Sequence, residues 1–315
     1  MIFTKSLRVI SLLVRRSIRY PSPGGRKRAF LALFLLTTLA CESRAPATGV
    51  IMAVDDAGDT VRLARPASRV VSLVPATTEI LFAIGAGPAM VGRTRWCDYP
   101  AAAAAVTDVG DGINPNLEAV AAQKPDLVVM YRSGSNAGPA DQFRKLGIPT
   151  VQLSVDRLAD VSRIAAFLGL LTGHQREADS VSRTLEAGLA AVSVAPDSTA
   201  LRILIVAWDQ PPMVIGAGSF LSELVERAGA LNVFRDIAAP SAQISLEAVV
   251  GRNPDALLVS SDGPPALASR PEWRVIPAVR QQHFIHVQSS AFNRPSPRAP
   301  EAIRELAAKF RSLPR

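Results

Sequence analysis

The sequence predicts a two-lobed α/β protein, each lobe a largely parallel β-sheet covered by helices, with a long helix standing between the lobes. Three observations predict it. First, Leu117-Glu118-Ala119-Val120 followed by Pro125-Asp126-Leu127-Val128-Val129 recurs as Leu246-Glu247-Ala248-Val249 followed by Pro254-Asp255-Ala256-Leu257-Leu258-Val259, every matched position displaced by 129 residues. Each copy reads as a short helix, a Pro-Asp turn and an apolar run of the kind a strand buried on both faces needs. Second, short apolar β-runs alternate with helical segments over short connections, the pattern of a parallel sheet with crossover helices. Third, Ala178, Val181, Leu185, Leu189 and Val192 recur at spacings of 3, 4, 4 and 3. That stripe predicts one helix over residues 174–194, roughly 30 Å long at ~1.5 Å per residue, a fairly rigid strut between the two halves.

In order, apolar runs at 51–54 and 60–63 flank Asp55-Asp56-Ala57-Gly58-Asp59, a hairpin signal. Residues 70–73 read as a buried strand. Pro75 and Glu79 open a helix to Ile84, ended by Gly85 and Gly87. A short strand at 90–92 leads to the aromatic turn Trp96-Cys97-Asp98-Tyr99-Pro100. After the first repeat strand, Tyr131-Arg132-Ser133-Gly134-Ser135-Asn136 reads as a loop, placed where open α/β sheets bind ligands. A helix over 141–146, a strand over 150–153 and a helix over 158–171 complete the first half. The second half begins with a β-run at 201–207 that ends at Trp208-Asp209-Gln210-Pro211-Pro212-Met213. Gly216-Ala217-Gly218-Ser219 reads as a glycine turn before a helix at 220–228, because the longer phosphate-binding fingerprint is missing. A short strand at 232–234, a loop at 236–243, the second repeat, a short helical stretch from Trp273, a strand at 284–287 and a final helix at 299–310 follow.

With 315 residues, 48% of them hydrophobic, the chain has room for two substantial cores. Its net charge of +8 suggests a nucleic-acid partner until it is located. Lys5, Arg8, Arg15, Arg16, Arg19, Arg26, Lys27 and Arg28 precede any acidic residue, and the remaining basic residues equal the 27 acidic ones. The excess belongs to the leader, which excludes a nucleic-acid role on charge grounds. Within that leader a basic Arg26-Lys27-Arg28 precedes an eleven-residue apolar run ending before Ala40-Cys41. The run is short for a membrane span, which needs about 20 residues. Residues 1–41 therefore read as an export signal resembling that of a bacterial lipoprotein, with Cys41 the lipidation site; a soluble secreted form and an uncleaved anchor are the alternatives. Cys97 then has no partner, and reads as a small buried side chain rather than a metal ligand. His174, His283 and His286 lack zinc-type spacing. No Gly-x-Ser-x-Gly elbow or His-Glu-x-x-His run supports the competing class, a secreted hydrolase. No catalytic residue, metal site or cofactor is expected.

Several stretches carry a more specific resemblance. Arg69-Val70-Val71-Ser72-Leu73-Val74-Pro75-Ala76-Thr77-Thr78-Glu79-Ile80-Leu81 with Gly85, Asp98-Tyr99-Pro100, Asn116-Leu117-Glu118 with Lys124-Pro125-Asp126-Leu127-Val128, Gly147-Ile148-Pro149 and Ser296-Pro297-Arg298 resemble the periplasmic cobalamin-binding proteins of ABC importers. The resemblance covers residues 50–313. It implies the class III periplasmic binding fold shared with haem and siderophore receptors: Rossmann-like lobes at 50–172 and 200–315 joined by a backbone helix at 173–195. It also implies an extracytoplasmic protein, lipid-anchored through the leader already described, acting as a monomer with a membrane permease and its ATPase. The ligand held between the lobes would be cobalamin or a related corrinoid, with haem or a ferric siderophore as the alternative. Implied ligand contacts are Pro75, Ala76, Trp96, Tyr99, Tyr131, Trp208, Asn293 and Arg294, with packing the alternative role for the aromatics among them. Asp111, Val214 and Ser241 stand where well-known members carry aromatics. Glu118 and Glu247, one per lobe, match glutamates that dock on permease arginines. On the residues alone each also reads as a helix-start carboxylate favoured by the dipole.

Overall fold

A computed structural model describes residues 49–260 and 263–313. The chain enters through an antiparallel hairpin, β1 (Ile51–Val54) and β2 (Thr60–Leu63). Asp55 Oδ1 accepts the Ala57 and Asp59 amides in its turn, and Oδ2 accepts the Gln152 amide at 2.8 Å, so one carboxylate shapes the hairpin and pins it to the first sheet.

That sheet holds β3 (Val70–Ser72), β4 (Met90–Arg93), β5 (Leu127–Tyr131) and β6 (Thr150–Leu153), all parallel in the order β4-β3-β5-β6. Helices α1 (Pro75–Ala83), α2 (Leu117–Ala122) and α3 (Gly134–Lys145) make the crossovers. Val70, Val71, Leu127, Val128, Val129, Met130 and Val151 are fully buried, which is why these strands read as unbroken apolar runs. The chain leaves β3 for β4 on one side and returns to β5 on the other. The crevice between the loops after β3 and β5 is thus a topological switch point, where open α/β sheets take ligands.

From there α4 (Leu158–Thr172) runs to Gly173, whose φ of +79° reverses the chain, and α5 (Gln175–Val192) runs back to the second lobe. At 18 residues α5 is about 27 Å long. Ala178 and Leu185 are buried on it, and Val181, Leu189 and Val192 pack beside them. The core they join is continuous, from Val70 and Leu127 of the first sheet to Ile203 and Leu258 of the second. The helix therefore shares its apolar face with both lobes.

The second sheet comprises β7 (Arg202–Asp209), β8 (Pro212–Ile215), β9 (Leu231–Asn232), β10 (Ser241–Gln243), β11 (Ala256–Val259) and β12 (Phe284–His286), in the order β10-β8-β7-β11-β12 with β9 beside the start of β7. Helices α6 (Phe220–Arg227), α7 (Leu246–Arg252), α8 (Pro277–Arg280) and α9 (Ala299–Ser312) cover it. β7, β9, β11 and β12 are parallel, and β8 and β10 form an antiparallel edge.

The structure departs from the expected elements at four places. β8 and β10 replace an expected turn and loop: β8 begins with proline and lies between β10 and β7, the edge strand β10 is Ser-Ala-Gln, and neither carries an apolar alternation. The expected strand at 232–234 is confined to Leu231–Asn232, with Val233 and Phe234 turned into the second core. α3 begins at Gly134 rather than 141, because Ser133 caps it by accepting the Asn136 amide at 3.2 Å. Glu79, expected at a helix start, is the fifth residue of α1.

The repeat has a structural meaning beyond its strands. Asp126 accepts the Arg69 amide at 2.8 Å, and Asp255 accepts the Arg202 amide at 2.8 Å. Arg69 Nη2 donates to the Gln123 carbonyl and Arg202 Nη2 to the Arg252 carbonyl. In each lobe the Pro-Asp carboxylate and one arginine thus moor the start of β3 or β7 to the Pro-Asp turn and to the end of the helix before that turn, α2 or α7. The expected signal segment and its Cys41 lie outside the described residues.

Candidate functional site

The strand ends converge on a cavity of about 780 Å³ between the lobes, within the range that holds small organic ligands. The first lobe contributes from the end of every strand of its sheet: Leu73 to Ala76 after β3, Thr94, Arg95, Trp96 and Asp98 after β4, Tyr131, Ser133 and Asn136 after β5, Val155 and Asp156 after β6. Asp111, Gly112 and Ile113 close one side, and no side chain fits at Gly112, where a Cβ would lie 2.1 Å from the Leu73 carbonyl oxygen. The second lobe contributes Ser219, Phe220, Pro240 and the segment Ser290 to Pro295. The walls are thus largely apolar, with hydroxyl, amide and charged groups distributed among them.

Two sets of bonds join the lobes, and residues of both sets line the cavity. In one, the Phe220 amide donates to the Asp156 carbonyl at 3.0 Å, and Arg157 pairs with Glu223. In the other, Glu79 of α1 grips two arginines from the segment after β12. Arg294 Nε donates to Glu79 Oε1 at 2.7 Å, Arg298 Nη2 to the same oxygen at 2.6 Å, and Arg298 Nε to Oε2 at 2.9 Å. Arg294 also donates to the Trp96 carbonyl at 2.9 Å and pairs with Asp98. The Glu79 side chain is 1% exposed, and those of Arg294 and Arg298 are 10% and 11% exposed. A carboxylate among the buried residues Ala76 to Leu81 needs such partners, and that was the only sequence signal for it. Arg294 and Arg298 are separated by Pro295-Ser296-Pro297, outside any helix, so their spacing gave none.

Of the eight expected ligand contacts, the structure brings six together around the cavity: Pro75, Ala76, Trp96, Tyr131, Asn293 and Arg294. Trp96 is 61% exposed, presenting its indole at the mouth. Tyr131 donates its hydroxyl to Asp156 at 2.7 Å, and burial, reinforced by that bond, pushes its pKa up to about 12. The structure does not place Tyr99 or Trp208 in this lining. Tyr99 sits beside a smaller hollow of about 310 Å³, its ring 3.8 Å beneath the Arg298 guanidinium. Trp208 lies on β7 next to the β8 turn, donating Nε1 to the Gln210 carbonyl. Asp111 lines the cavity, whereas Val214 is buried in the second core and Ser241 is exposed on the edge strand. Cys97 is fully buried, 3.1 Å from the Thr78 hydroxyl and 3.2 Å from that of Thr94, behind the lining rather than in it. Among the described residues no group of three or more His, Cys, Asp or Glu is placed to hold a metal, and no helix is long and apolar enough to cross a membrane.

Glu118 and Glu247 are second residues of α2 and α7, both exposed. Neither forms an ion pair with another described residue. Crossover helices run antiparallel to their strands, so both N termini stand at the strand ends that carry the cavity. Asn116 and Ser245 cap them by accepting the Ala119 amide at 3.0 Å and the Ala248 amide at 3.2 Å. The Glu247 pKa is held below its ordinary value by a bond from its own backbone amide and by Ser245.

Residues 70–291 match the family model described as periplasmic binding protein. The chain is similar to a vitamin B12-binding protein of Vibrio parahaemolyticus, 28% identical over 79% of this chain and 92% of the relative. It is 31% identical to a vitamin B12-binding protein of Salmonella paratyphi A over 76% of this chain and 89% of that one. The periplasmic vitamin B12 binding protein BtuF of Vibrio cholerae superposes with a TM-score of 0.61 at 25% identity, covering 78% of this chain and 97% of that one. The periplasmic heme-binding protein RhuT of Roseiflexus sp. RS-1 superposes with a TM-score of 0.68 at 22% identity, covering 77% and 97%, which speaks for the fold alone.

Proposed function

The chain belongs to the periplasmic binding protein family, and from that premise we propose that it is the extracytoplasmic substrate-binding component of an ABC importer, capturing cobalamin or a related corrinoid between its lobes. The observation that carries this reading is the lining: apolar walls around Leu73, Val74, Pro75, Trp96 and Phe220, neutral polar groups from Ser133, Ser219 and Asn293, and a cation, Arg294, already held by two carboxylates. A corrinoid is large, flat, partly apolar and fringed with neutral amides, and such walls suit it. The relatives named for vitamin B12 binding support the same ligand.

Haem is the second reading, since the fold is shared with a heme-binding protein. It asks for cations to meet its carboxylates and an axial donor for iron. Tyr131 is a phenol in the lining that could serve as that donor, but its bond to Asp156 and its raised pKa oppose the phenolate form.

In this role the protein acts as a monomer without chemistry of its own. Exported by the leader, it is tethered to the membrane through lipid on Cys41. Ligand sits in the cleft, and Glu118 and Glu247 set the protein's orientation on basic residues of a permease driven by its ATPase. Each exposed pair contributes only about 0–1 kcal/mol, so the two align the complex more than they hold it. Titration of the purified protein with cyanocobalamin, followed by heat and visible spectrum, tests the reading. Saturation at one ligand per protein is expected. No corrinoid binding, with saturable binding of haemin, would overturn the ligand and leave the fold.

A further inference from the structure

Charge in the cavity is unevenly committed. Its cationic lining residues are Arg95 and Arg294, and its anionic ones are Asp98, Asp111 and Asp156. Arg95 is exposed, where water and salt screen its pull. Arg294 is the cation held in a low-dielectric position, and each of its three nitrogens already donates one bond: Nε to Glu79, Nη1 to the Trp96 carbonyl, Nη2 to Asp98. Together with Arg298 the cluster contains two guanidiniums and two carboxylates, and so is neutral. The remaining anions stay in place, Asp111 accepting the Ile113 amide and Asp156 the Tyr131 hydroxyl.

We infer that Asp98 and Glu79 are specificity-determining residues: by pairing with Arg294 they neutralise the lining cation that is shielded from water, so that ligand carboxylates gain little there and neutral, amide-fringed chelates are favoured. The inference rests on the reading of this cavity as the ligand site and deepens it. Neither residue need touch the ligand. They act through Arg294, and through their charge rather than their shape.

Asp98→Asn isolates that charge. The Asp98 side chain is 58% exposed, so the fold does not depend on it, and asparagine still offers Arg294 an acceptor. The cluster then carries one net positive charge. Asp98→Ala is the second variant, removing acceptor and charge together. Each protein is titrated with cyanocobalamin, with the cyanocobalamin monocarboxylate in which one propionamide is hydrolysed, and with haemin. The wild-type protein should prefer the amide over the acid by about tenfold, and both variants should narrow that ratio and gain haemin affinity by about tenfold, a change of ~1.4 kcal/mol. Equal wild-type affinity for amide and acid overturns the inference while the corrinoid reading stands. If no corrinoid binds, that reading fails, and the haemin affinities decide alone: a gain in both variants supports the role of Asp98, and no gain overturns it.

Discussion

Replacing Glu79 by alanine should cost the protein about 3–5 kcal/mol of stability, the usual loss when one member of a buried ion pair is removed. The geometry places it in that class. Its side chain is 1% exposed and accepts three bonds from two guanidiniums that are themselves only 10% and 11% exposed. Without it Arg298 keeps only the Ser289 and Ser290 hydroxyls and its stack on Tyr99, while Arg294 keeps Asp98 and a carbonyl. Two cations would then face each other across the void left by the carboxylate. In a domain of this size each kcal/mol moves the melting temperature by roughly 2–4 °C, so a fall of roughly 6–20 °C is expected by circular dichroism, with a matching shift in urea midpoint. Replacing Glu79, Arg294 and Arg298 together by methionine should restore most of the loss, because the charges no longer need one another. A Glu79→Ala protein that loses under ~1 kcal/mol would behave as a surface pair does and would refute the placement of this cluster in a buried seam.

Other outcomes separate the roles of neighbouring side chains. Trp96→Ala should weaken cyanocobalamin binding by about 10–100-fold in calorimetry, as loss of an aromatic anchor does, whereas Trp208→Ala, outside the lining, should change it less than about twofold. Glu118→Ala with Glu247→Ala should leave that affinity unchanged and impair ligand uptake by cells; unaltered uptake would sink their docking role. Tyr131→Phe should remove a step near pH 12 from the ultraviolet titration of the folded protein. Because the folded-state pKa of Tyr131 lies above the ordinary value of 10.0, the unfolded chain loses that proton first, and the stability it contributes is whole below pH 10 and declines towards pH 12.

What was legible in the sequence was what periodicity and repetition record. The buried parallel strands announced themselves because both faces are apolar, and α5 because its stripe at 178, 181, 185, 189 and 192 must meet a core. The antiparallel pair at Pro212–Ile215 and Ser241–Gln243 was not legible: the edge strand Ser241–Gln243, half in water, has no need of an apolar pattern, and Pro212–Ile215, paired on both sides, is four residues long and opens with proline. Tyr99 and Trp208 show a limit of another kind. An aromatic in a loop beside a strand end is compatible with lining the cavity or with stacking elsewhere, and Arg298, 219 positions after Glu79, takes Tyr99 for itself. Long-range ion pairs of this sort leave no local signature; only a carboxylate in an otherwise buried helix face hints that some distant cation must come to it.

The same cluster bears on how ligand would be taken up and given up. α5 shares a continuous core with both lobes, and Glu79, Arg294 and Arg298 tie the lobes again beside the cavity. A cleft fastened twice is organised before ligand arrives, so little binding energy is diverted into closing it. Release is then the demanding step. Parting the lobes at this seam would break the three hydrogen bonds to Glu79 and the packing around α5, although water would take up the freed carboxylate and guanidiniums and return part of that cost. On the proposed reading the work must come from the transporter's own conformational cycle, and a weakened seam, as in Glu79→Gln, should make ligand transfer faster even where equilibrium binding becomes poorer.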